Sequence, residues 1–158
     1  MKKHIPTVAS IIVAFVFIQS MFFKFTGAEE TVIIFRTISE WLASIGVPAA
    51  FASLFADFGA YAVGAVELVA AALILIPATR AVGASLSLSV ISAAIFFHLF
   101  TPLGIDRVVD QAGNTDGGAL FYTAVVVWLS SVVAIALGKR SAQGRNEAAE
   151  YDLGHVPA

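Results

Sequence analysis

Four apolar stretches, at about residues 5–26, 58–77, 81–101 and 118–138, restrict this sequence more than any other feature. Each is close to the ~20 residues that a helix needs to cross a bilayer core. Of 158 residues, 59% are hydrophobic and only 13% charged, and the mean hydropathy is +0.89. Soluble domains run near 45–50% apolar and about 25% charged, and a soluble fold this short could not bury so much apolar side chain. The expectation is an all-α, integral membrane four-helix bundle, and a soluble enzyme is excluded. Cys is absent, which removes thiol exchange and thiolate metal sites from the chemistry of this chain. A net charge of −2, without a basic run, argues against a nucleic-acid partner and leaves the lipid bilayer as the expected one.

Pro and Gly punctuate the stretches. Pro6 falls in the first turn of the first one, where its missing N–H costs nothing. The MKKH start resembles a signal peptide, but the apolar run exceeds the ~7–15 residues of a signal core and no A-x-A-like site follows, so a retained helix is expected. IPATR, with Pro77 and Arg80, leaves only a tight turn between the second and third spans, which form an antiparallel hairpin. The Asp-, Gly- and Asn-rich run after His98 reads as a solvated loop. Residues 1–138 are expected to form the transmembrane domain and residues 139–158 a mobile cytoplasmic tail.

Between the first two spans lies an amphipathic segment. Val32, Ile34, Phe35, Ile38, Trp41, Leu42 and Ile45 fill one half of a helical wheel, and Arg36, Thr37, Glu40 and Ser44 the other, with Ile33 and Ser39 as exceptions. Such a helix suits the membrane interface, and Gly46-Val47-Pro48 ends it. It reads either as a lid over a site or as a connector lying on lipid.

Charge sets the expected orientation. Lys2, Lys3, Arg80, Lys139, Arg140 and Arg145 share one side with both termini, whereas the other side has Lys24, Arg36 and Arg107 against seven acidic residues. The positive-inside rule places both termini in the cytoplasm of a multi-pass protein of the cell's inner membrane.

An ionisable side chain within a span costs several kcal/mol unless it is paired or faces a cavity, so each one marks a candidate site. Glu67 lies near the middle of the second span, on a narrow stripe with Ala60, Gly64 and Ala71 that a neighbouring helix can approach closely. His98 shares a face with Gly83, Ser87 and Ala94 on the third span. A deep polar layer is expected to hold Glu67 and Gln19 with Ser89 or Ser92. A shallower layer holds Lys24, His98, Tyr61, Tyr122 and Thr123. The cluster reads as a ligand pocket or proton relay, with candidates Glu67, His98, Lys24, Gln19, Tyr61 and Tyr122, or as a polar core that fixes helix register. Ala60-xxx-Gly64 reads as internal packing or as a homodimer face. The three His are dispersed, and no metal site is expected.

MFFKFTG, VGAVELVAAALILIPATRAVGA, ISAAIFFHLFTPLGI and DGGALF, in this order, resemble the DoxX family over roughly residues 15–137. The resemblance implies a small four-helix inner-membrane protein, with Lys24, Glu67 and His98 at family motif positions. It also implies a link to redox metabolism through a partner subunit. The chain reads as an accessory or small-ligand-binding subunit rather than a stand-alone enzyme, with a quinone as the candidate electron carrier. A non-enzymatic binding or transport module and a structural membrane partner are the contrasting readings.

Overall fold

The computed structural model describes residues 4–154, with side chains described for residues 4–137. Five helices follow one another: α1 (Ile5–Phe25), α2 (Glu29–Ser44), α3 (Ala49–Leu75), α4 (Arg80–Phe100) and α5 (Ala119–Gly154). Four of them, α1, α3, α4 and the Ala119–Leu137 part of α5, are long and apolar enough to cross a membrane. The whole of the expected mobile tail, 139–158, lies outside the residues with described side chains.

The chain breaks where its local chemistry demands. Thr26 closes α1, its hydroxyl donating to the Phe22 carbonyl at 2.7 Å, and Gly27 turns the chain at φ +64°. Glu29 and Glu30 open α2, where negative charge offsets the helix dipole. At the end of α3, Thr79 Oγ1 donates to the Leu73 carbonyl at 2.8 Å and Arg80 Nε to the Ile74 carbonyl at 3.3 Å. These bonds occupy carbonyls that a helix end leaves without partners, and so they make the sharp α3–α4 hairpin tolerable in an apolar setting.

The bundle is cyclic: α1 packs on α3, α3 on α4, α4 on α5 and α5 on α1, so α1 and α4 stand diagonally opposed. Val13, Phe17, Ala70, Ile74, Ala84, Val127 and Ala134 form its core. At Gly83 the two helices of the hairpin meet backbone to backbone, since an added Cβ would collide with Leu73 and Ile74 main-chain atoms. Ser87 and Ser131 share a buried hydrogen bond of 2.9 Å between α4 and α5. Large apolar side chains such as Phe15, Phe58, Val69 and Leu129 face outward. An apolar exterior around a core of small residues is the arrangement that lipid favours.

Two sequence expectations are revised. The helix that carries the second span starts at Ala49, ahead of the apolar stretch expected from about residue 58. Pro48 sets the first turn, and 27 residues make a helix of about 40 Å, longer than the ~30 Å hydrocarbon core, so its first turns stand beyond the span. Those turns receive α2. The buried face of α2 is Thr31, Phe35, Ile38 and Ser39, whereas Val32 and Ile45 are exposed. The rotation follows from two contacts. Phe35 packs over Gly59, where an added Cβ would strike its ring, and Ser39 Oγ donates to the Ala52 carbonyl at 2.6 Å. Trp41 reaches across to α4, edge-on to Phe96 and Phe97.

Candidate functional site

The polar residues of the spans gather in two places rather than one. The first is the α1–α3 seam. Ala60, Gly64, Glu67 and Ala71 are all buried along one stripe of α3. At Gly64 the lack of a side chain admits the Phe25 ring and the Lys24 stem. Lys24 can therefore lie along α3 and place Nζ 2.8 Å from Glu67 Oε2, with side-chain exposures of only 13% and 7%. Its ammonium also donates to Ser20 Oγ, one turn back on α1. Phe25 and Tyr61 meet edge-on beside this pair, with centroids 5.8 Å apart, and Tyr61 is itself exposed.

The second place is the end of the bundle that carries α2 and the 101–118 loop. His98 is buried, with Nδ1 2.6 Å from the Gly104 carbonyl. A carbonyl can only accept, so Nδ1 carries the proton. The ring also meets Phe121 edge-on at 5.8 Å. Arg107, 4% exposed, reaches Glu30 of α2 at 3.1 Å and Asp116 of its own loop at 3.3 Å. Glu29 accepts from the Gln111 amide at 3.0 Å. These links tie α2, the loop and the end of α4 into one cap.

The expected common cluster of Glu67 and His98 is thus divided: Glu67 is held by α1, and His98 by the loop after its own helix. Gln19, expected beside Glu67, faces outward from α1. Ser89 returns its hydroxyl to the Ser85 carbonyl, and Ser92 accepts from Trp128 Nε1 at 3.1 Å. Tyr122 is exposed, and Thr123 bonds back to Ala119. Ala60 and Gly64, which read as packing or a dimer face, are internal. Among the described residues no three His, Asp or Glu side chains converge as metal ligands do.

Arg107 was the residue that sequence reasoning passed over as a loop charge. Its signal was present: it is the lone base of a loop holding Asp106, Asp110 and Asp116, and the facing helix opens on two glutamates.

Fold and polar sites together define a four-span integral membrane protein with a buried intramembrane ion pair and an ionic cap at one end. Comparisons with protein-family models, with curated proteins and with solved structures return no match.

Proposed function

We propose that this chain is a DoxX-like accessory subunit of a membrane redox system, and that the Lys24–Glu67 pair binds the polar head of a small ligand such as a quinone. One observation carries the reading. An ammonium has three N–H donors, and Lys24 spends two, on Glu67 and Ser20. The third has no protein acceptor among the described residues and is left for a ligand carbonyl oxygen, at a seam flanked by the exposed ring of Tyr61, on the lipid-facing side of the bundle. The redox assignment rests on the family resemblance. Electrons would pass through the ligand and a partner subunit.

A structural reading is favoured by a different observation: no buried polar atom of Lys24 or Glu67 lacks a partner, so the pair can also serve to fix the register of α1 against α3. Mass spectrometry of the purified protein separates the two. Ligand binding predicts a copurifying quinone or lipid whose occupancy per folded protein falls in Lys24→Met and Glu67→Gln. Unchanged occupancy in both variants rejects it.

We further propose that both termini are cytoplasmic. The loop end, with its acidic cap, then faces outward, and the Arg80 turn shares the inner side with the basic termini. Single-cysteine labelling of intact cells at Gln111 and at Ala78 checks this orientation, with only the first expected to react with an impermeant reagent.

A further inference from the structure

Gln19 is an amide with nothing to bond. It lies six residues from the end of α1, within the span, is exposed, and has no hydrogen-bond partner among the described residues. In hydrocarbon an unpaired amide costs several kcal/mol, so the side chain calls for a polar partner from outside the fold.

Its surroundings say what kind of partner. Val8, Ile12, Phe15, Gln19 and Phe22 follow one another at spacings of four, three, four and three, and every one is exposed. Phe15 and Phe22, at 66% and 62%, are the most exposed large side chains of α1. This is the spacing of a heptad seam, as in left-handed helix pairs, with one polar residue at a core-type position, the device that fixes register and partner number in coiled coils. At its Val8–Ile12 end the seam borders a groove of about 520 Å³ between α1 and α5, lined also by Ile5, Ala9, Leu129 and Val133.

We infer that two copies of this chain pair in the membrane through α1, with Gln19 of each bonded to Gln19 of the other. A second copy fits for a chemical reason. An amide carries both donor and acceptor, so two related by a twofold axis satisfy each other with two hydrogen bonds. Copies inserted in the same orientation present Gln19 at the same depth, and the Phe15 and Phe22 rings pack above and below it. The ridge is free to pair because the fold itself uses the opposite side of α1, through Val13, Phe17, Ser20 and Lys24.

The Cys-free chain allows a direct test in native membranes. Phe22→Cys and Phe15→Cys, each with Gln19 intact, are oxidised alongside Leu99→Cys, an exposed position on the diagonally opposed α4. Disulfide-linked dimers are expected from the two α1 positions and not from Leu99. Adding Gln19→Leu is expected to weaken dimerisation roughly tenfold, the effect of two amide bonds between membrane helices, while Gln19→Asn retains most of it. Photobleaching of labelled protein at low density in bilayers gives the dimer fraction independently, and unchanged melting of the Gln19→Leu monomer excludes misfolding. Equal cross-linking at Leu99, a dimer fraction indifferent to Gln19→Leu, single bleaching steps throughout, or cross-linking of Phe22→Cys to a different polypeptide would each overturn the pairing.

Discussion

Lys24 Nζ and Glu67 Oε2 stand 2.8 Å apart across the α1–α3 seam, 43 positions apart in the chain, and both side chains are nearly closed off by their own helices. Removing either partner leaves a charge in an apolar setting. Glu67→Gln and Lys24→Met are each expected to cost about 3 kcal/mol. The double variant, with no stranded charge, should recover a large part of that loss. Thermal unfolding in detergent measures all three, and a double variant as unstable as the sum of the singles would contradict the pairing.

At Gly83 α4 meets the main chain of α3, and no side-chain rotation can make room there because the obstructing atoms are backbone. Gly83→Ala is expected to push the hairpin apart near its turn and to destabilise the protein by about 2 kcal/mol, in the range of overpacked cores. Gly104→Ala serves as the contrasting variant. An added Cβ meets nothing there, so its cost comes only from the positive φ.

Arg107 joins α2 to the loop through Glu30 and Asp116. Arg107→Met is expected to release both carboxylates and to raise amide hydrogen exchange in α2 and in the 101–118 loop, leaving the spans protected. Arg107→Lys should restore little of that protection, because a single ammonium cannot reproduce the spread donors of a guanidinium. Uniform exchange in wild type and Arg107→Met would show that the cap does not hold α2.

Asp110 accepts from the side chain and backbone of Asn114, at 2.6 and 3.1 Å, and these bonds hold its carboxyl below the usual carboxylate range. The folded group therefore binds its proton less readily than the unfolded one. Its contribution to the loop is complete above the unfolded value of about 3.9 and is lost as pH falls through the lower folded value. The Asn114 backbone amide should exchange faster on acidification across that window, relative to its intrinsic rate. Asp110→Asn should abolish the step.

Much of this architecture was legible because membrane crossing imposes a length and a composition that can be counted. The four spans, the Pro77–Arg80 turn and the buried stripe of Ala60, Gly64, Glu67 and Ala71 follow from local rules of apolar run, helix termination and helical spacing. Partner choice does not follow from those rules. Glu67 and His98 share an apolar background and read as one polar cluster, yet the cyclic order of the helices gives Glu67 to Lys24 and leaves His98 to the Gly104 carbonyl. Gln19 and Lys24 are separated by about 140° around α1, so the rotation that brings Lys24 onto α3 turns Gln19 outward. The sequence alone determined which segments enter the membrane and which residues are polar there, since both depend on transfer from water. Only the tertiary structure decided which polar groups meet, because hydrogen bonds and ion pairs act over about 3 Å, and helix order and rotation set those separations.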